Sequence, residues 1–180
     1  MSKVLYNIDS NIKSNAIFND DKKHRYLLER TWDDKKPKIC VIMLHPSHAD
    51  KENDDETSSM VVQYLKKYKN DFGGVYIVNQ ESRIDENLEE DEDIKIERKK
   101  ENDSEIIKAI KSSKKIYIAF RSAKRERKKE ILKMLKENNF KKAYYFTDEN
   151  GKAIHLRTSK IVGEEKFKKL SYILKKNPSK

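Results

Sequence analysis

Hydrophobic and polar positions fall into two kinds of block along this chain. Compact apolar runs read as strands buried on both faces: 39–44 (Ile39-Cys40-Val41-Ile42-Met43-Leu44), 75–78 (Val75-Tyr76-Ile77-Val78), 115–120 and 142–147. Between them lie stretches with helical spacing. Met60, Val61, Tyr64, Leu65 and Tyr68 share one face of a helix over 58–68, with caps and acids at 54–57. Ile106, Ile107 and Ile110 share another face, capped by Asn102 or Asp103. A basic helix over 122–138 turns Ile131, Leu132 and Leu135 inward, and a last helix is expected over 164–175. Residues 24–32 read as an edge strand ahead of the first central one. Pro46 ends that central strand because it has no N–H for a ladder, and Gly73-Gly74 breaks the first helix.

Strand, helix, strand, helix, strand, helix, strand is the order of a mainly parallel, four-stranded central sheet with right-handed crossovers. A length of 180 residues suits one α/β domain over 21–180, with an N-terminal extension over 1–20 ahead of it. Apolar residues make up 36% and charged residues 40%, which implies a small core under a charged surface. The one cysteine, Cys40, falls inside a buried strand and reads as a core filler. It has no disulfide partner, so a reducing, cytoplasmic setting is expected. No signal peptide, no apolar stretch near the ~20 residues of a membrane span and no zinc-ligand spacing is read. No cofactor, no metal, no membrane and a monomer are therefore expected.

Charge is unevenly spread. Residues 106–180 carry 23 basic and 7 acidic side chains, while 81–105 carry 5 and 12. The whole-chain net of +10 understates a C-terminal portion that suits a polyanion, although lysine-rich helices can also be merely solvated. The acidic run 86–93 reads as a solvated loop. A DNA-mimic inhibitor is not expected, because such proteins are acidic and this chain carries a net charge of +10.

Polar groups gather at strand ends. His45 and His48 follow the first strand, Asn79 the second, Arg121 and Ser122 the third, and His155 lies in a loop after the fourth. A parallel sheet brings all of these to one edge, where open α/β sheets bind ligands. Imidazoles, a carboxamide and a cation around one crevice can orient water, hydrogen-bond a base edge and stabilise developing negative charge.

The segments 25–32 (Arg25-Tyr26-Leu27-Leu28-Glu29-Arg30-Thr31-Trp32) and 43–50 (Met43-Leu44-His45-Pro46-Ser47-His48-Ala49-Asp50) resemble a bacterial family, the domain of unknown function 1643. Its hallmark is Met-Leu-Asn-Pro-Ser-Thr-Ala-Asp, followed by an Asp-Asp pair (here Asp54-Asp55) and a Val-Val-Asn strand (here Ile77-Val78-Asn79). The resemblance covers about residues 24–160. That family in turn is similar to the uracil-DNA glycosylases, which implies a three-layer α/β/α sandwich of their type. His45-Pro46 matches their water-holding Asp-Pro or Asn-Pro, Asn79 matches their uracil-reading Asn, and 119–125 (Ala119 to Arg125) matches the segment after their third strand. The loop 155–159 (His155-Leu156-Arg157-Thr158-Ser159) stands where theirs carries His-Pro-Ser. Three departures stand out: His45 replaces Asp or Asn, His48 replaces Thr, and the proline after His155 is missing.

What the resemblance implies is excision of uracil from single- or double-stranded DNA. His45 would position water at C1′ and His155 would stabilise the leaving uracil anion. Asn79 would read the base and Tyr26 or Phe120 would stack on it, with His48 lining the pocket. DNA contacts would come from Ser47, Arg121, Ser122, Lys124, Arg125, Arg127, Lys128, Arg157 and Ser159, with affinity falling as salt rises. The alternative is a module on the same fold that binds nucleic acid or a nucleotide and cleaves nothing.

Overall fold

In the computed structural model residues 4–85, 87–120, 125–140, 143–147, 149–150, 161 and 163–166 are described, and these form nine strands and three α-helices. In chain order they are β1 (Leu5–Asn7), β2 (Lys13–Phe18), β3 (Arg25–Thr31), β4 (Lys38–Met43), β5 (Asn53–Asp55), α1 (Glu56–Leu65), β6 (Gly74–Asn79), α2 (Glu92–Lys111), β7 (Ser113–Ile118), α3 (Arg125–Glu137), β8 (Tyr144–Thr147) and β9 (Gly163–Lys166).

The apolar run in β4 is the axis of the sheet. It pairs in parallel with β6 on one side and β7 on the other, and β8 lies parallel beyond β7. These are the four strands expected from the apolar runs, but a four-stranded sheet is a correction to make. The sheet has seven strands and is mixed, in the order β2-β3-β6-β4-β7-β8-β9. The β2–β3 hairpin adds antiparallel along β6, and β9 adds antiparallel along β8. β3 is therefore internal rather than an edge strand, because β2, drawn from the segment 1–20, takes its outer ladder. Residues 5–7 pair with β5 in a separate two-stranded ribbon.

Residues 163–166 form a strand where a helix over 164–175 was expected; the rest of that stretch lies outside the described residues. Strand pairing wins there because β8 offers a free edge and Glu164 is fixed from the neighbouring β7. It accepts from Lys115 Nζ at 2.5 Å and from the Tyr117 hydroxyl.

Alternation along β4 sorts its side chains to two faces. Ile39, Val41 and Met43 pack with Val61, Val62 and Leu65 of α1. Cys40 and Ile42 pack with Ile106 and Ile110 of α2 and Ile131, Leu132 and Leu135 of α3. The result is three layers, with α1 on one face and α2 and α3 on the other. Each fully buried aliphatic side chain contributes about 1.5–3 kcal/mol. Cys40 is a core filler, and burial pushes its thiol pKa up.

Asp55 caps α1, its Oδ1 accepting from Ser58 N–H at 2.7 Å, with Glu56 in the first turn. α2 starts at Glu92, ten residues before the expected cap, so Asn102 is interior and buried. The early turns of α2 are mostly exposed and carry i,i+3 or i,i+4 pairs instead of core contacts: Lys95 with Glu92, Arg98 with Glu101, Lys99 with Asp103. Gly73 serves a close approach, since a Cβ there would lie 1.7 Å from the Asp33 carbonyl oxygen. No helix among the described residues is long and apolar enough to cross a membrane.

Candidate functional site

The chain leaves β4 through α1 on one face, then leaves β6 and β7 through α2 and α3 on the other. That reversal puts a topological switch point between β4 and β7, where doubly wound sheets bind ligands beyond the strands' carboxyl ends. The ladder continues into this edge: Gln80 N–H donates to Met43 O at 2.9 Å, Glu81 N–H to Leu44 O at 3.1 Å, and Ala119 N–H to Ile42 O at 2.8 Å. The turn 45–50 and the Asn79-Gln80 step thus sit side by side.

A buried cation joins them. Arg25, on antiparallel β3, is 1% exposed. Its Nη1 donates to the carbonyls of Ala49 at 2.8 Å and Ser47 at 3.4 Å, and its Nη2 to Asn79 Oδ1 at 3.3 Å. Burial pushes the Arg25 pKa down to about 10, against the pull of Asp55, Asp54 and Asp50. A second buried cation, Arg30, closes the floor of the turn. It donates through Nε and Nη2 to Asp54 Oδ1, through Nη2 to Asp50 and Asn53 carbonyls, and through Nη1 to Ser14 Oγ.

Both helices on the far face grip the end of β6. Asn102 Nδ2 of α2 donates to the carbonyls of Asn79 at 3.0 Å and Gln80 at 3.1 Å. Arg127 of α3 donates to the Gln80 carbonyl, and it pairs with Asp103 at 2.6 Å and Glu130 at 2.9 Å. Burial opposes the Arg127 charge, but these carboxylates outweigh it and hold its pKa above the ordinary value. The loop after β6 is fastened by His24, 1% exposed, which lies 2.8 Å from both Ser82 Oγ and Glu90 Oε1.

Several polar atoms at this edge are buried without a partner: Asn79 Nδ2, both amide atoms of Gln80, Ser47 Oγ, His45 Nδ1 and Arg25 Nε. A buried polar group left unpaired costs about 1–3 kcal/mol. A cluster of them marks a place where a ligand or ordered water completes the hydrogen bonds.

The expected site residues separate on this geometry. His45, Ser47 and Asn79 come together at adjoining strand ends, with His45 and Ser47 half-buried and His48 exposed. Tyr26 and Phe120, either of which was expected to stack on a base, are packed in the interior at 5% and 8% exposure. The Tyr26 hydroxyl donates to Glu101, and burial together with that bond raises its pKa. Phe120 belongs to the core with Ile118 and Ile131. Arg127 is likewise buried, a brace where a phosphate contact was expected. Lys128 is half-buried on α3, and Arg125 opens that helix. His155, Arg121, Ser122, Lys124, Arg157 and Ser159 lie outside the described residues. Arg25 and Gln80 were not singled out as site residues, and Asn102 was expected only as a helix cap. The signal for Arg25 was a charge at the start of the apolar run Tyr26-Leu27-Leu28, since arginine is almost never fully buried unless paired.

Two open clefts lie elsewhere: one of about 540 Å3 between Tyr68, Phe72, Lys114 and Tyr144, the other of about 470 Å3 beside Glu89, Glu90 and Arg98. Among the described residues no group of three or more His, Cys, Asp or Glu side chains is placed to hold a metal ion. A family model described as "Protein of unknown function (DUF1643)" matches residues 25–155. No curated protein and no solved structure matches the chain.

Proposed function

The chain belongs to the DUF1643 family, and from that premise we propose that it is a cytoplasmic, monomeric DNA-binding protein of the uracil-DNA-glycosylase type that hydrolyses the bond between uracil and deoxyribose. The observation that carries the reading is the Asn79 carboxamide. It is 1% exposed, its oxygen is held by a guanidinium, and its NH2 group is unpartnered at the carboxyl end of β6. A side chain held in this way is pre-organised to meet a flipped base by its hydrogen-bonding edge.

In this mechanism Asn79 donates to the base carbonyl. The N1–C1′ bond breaks with its electron pair going to uracil, and His155 hydrogen-bonds the resulting anion. Water held by His45 adds to C1′ and gives up its proton, which returns to the base. Basic residues of α3, Lys128 among them, contact phosphates.

The test is an end-labelled oligonucleotide with one uracil, incubated with the protein and then treated with alkali. Cutting at the uracil is expected, falling about 100-fold or more in Asn79→Ala. Binding without cutting would replace the enzyme by a binding module on the same fold.

A further inference from the structure

We propose that Arg25 is a positioning residue: it fixes which end of the Asn79 carboxamide faces the ligand, and so selects a base edge that carries a carbonyl. This rests on the reading that Asn79 meets a base. A guanidinium has five N–H donors and no acceptor. The Asn79 atom that faces Arg25 Nη2 at 3.3 Å must therefore be Oδ1. Turning the amide over would set NH2 against N–H, two donors face to face in a buried place. The group left for the ligand is then Nδ2, which is buried and unpartnered.

The guanidinium is itself held. Its other arm donates to the Ala49 and Ser47 carbonyls, so the turn after β4 and the amide at the end of β6 are aligned by one planar fork. Packing alone would be met at lower cost by an apolar side chain, because a buried cation bonded mainly to neutral oxygens gives up its hydration. Nδ2 as the presented group is a donor. Its complement is a keto oxygen at position 4 of a pyrimidine or position 6 of a purine, as on uracil, thymine or guanine, and not the amino group that cytosine or adenine carries there.

The experiment measures binding, not turnover. Two fluorescent single-stranded 15-mers of identical sequence carry 2′-fluoro-2′-deoxyuridine or 2′-fluoro-2′-deoxycytidine at the centre, a substitution that resists glycosidic cleavage. The wild-type protein is expected to prefer the uridine probe, and Arg25→Gln is expected to reduce that preference about tenfold by letting the amide adopt either orientation. A purely structural loss weakens both probes alike and leaves their ratio unchanged, and an unchanged ratio overturns the proposal. Should Arg25→Gln fail to fold, Arg25→Met decides, since an apolar side chain of similar length keeps the packing and removes every donor that holds the amide oxygen. The preference for uridine is expected to fall there too; an undiminished preference overturns the proposal. A wild-type protein that binds both probes equally overturns the base-reading site itself and this inference with it.

Discussion

Arg127 and Gln80 are joined by two hydrogen bonds to a single acceptor: Arg127 Nε and Nη2 both donate to the Gln80 carbonyl oxygen, at 2.9 and 2.7 Å. The same oxygen accepts from Asn102 at 3.1 Å. One carbonyl at the end of β6 thus ties α2, α3 and the sheet together, directly behind Asn79. Arg127→Ala is expected to lower stability by about 2–4 kcal/mol, since it strips the carbonyl of two charge-assisted donors and leaves Asp103 with Lys99 as its one remaining cation among the described residues. Arg127→Lys is expected to recover little, because a point ammonium cannot reproduce the fork. Urea unfolding followed by circular dichroism measures both. Unchanged stability with a weakened, salt-sensitive oligonucleotide affinity would mean that this arginine contacts phosphate after all.

The same brace predicts a pH response. Burial raises the Glu130 carboxyl, but Arg127 and Lys99 outweigh it and hold the pKa below its ordinary value of 4.5. A depressed folded-state pKa adds stability above that ordinary value, and the addition is lost as pH falls through the folded one. Unfolding midpoints should therefore drop as pH falls below about 4.5, and Glu130→Gln should flatten that part of the profile. An identical slope in both proteins would show that Glu130 does not sense Arg127.

How much of this was legible in the sequence depends on the physics of each element. β4, β6, β7 and β8 were legible because a strand covered on both faces is a continuous apolar run. β2 and β9 were not: Lys13–Phe18 is half-exposed, Gly163–Lys166 has no apolar residue, and each is recruited by a free strand edge. The start of α2 was hidden because its first turns bury almost nothing. The braces were legible in principle from helical period. Asn102 precedes Ile106 by four residues and Ile110 by eight, and Arg127 stands in the same relation to Ile131 and Leu135. Reading α3 as a basic face counted its cations without asking which one shared the inward stripe. The candidate site was legible as strand-end residues, and Arg25 was missed because it enters from an antiparallel strand at that strand's opposite end.

Arg30 and Asp54 are a buried ion pair, Nη2 to Oδ1 at 2.8 Å, with both side chains under 10% exposed. Asp54→Ala is expected to cost about 3–5 kcal/mol, because it strands a buried cation. Arg30→Met combined with Asp54→Leu is expected to recover much of that loss, since an apolar pair of similar volume carries no desolvation cost. Chemical denaturation of the two single variants and the double one measures the coupling. Strictly additive losses would show that the pair is not energetically linked.

Gln80 offers a contrast on the same strand end. Its side chain is 1% exposed, and neither amide atom has a partner, although its backbone is fully engaged. Leucine has a similar volume and leaves nothing unpaired, so Gln80→Leu is expected to raise stability by about 1 kcal/mol. In a domain of this size that is an increase of about 2–4 °C in Tm. The gain should come with a weaker hold on uracil-containing DNA if the amide completes its hydrogen bonds on a ligand, because sites built for function keep polar groups that folding alone would discard. Calorimetry and oligonucleotide titration on one preparation separate the two effects. A lower Tm would show that the amide is already paired in the free protein, through ordered water. A higher Tm with undiminished binding would mark Gln80 as a flaw in packing rather than a part of the site.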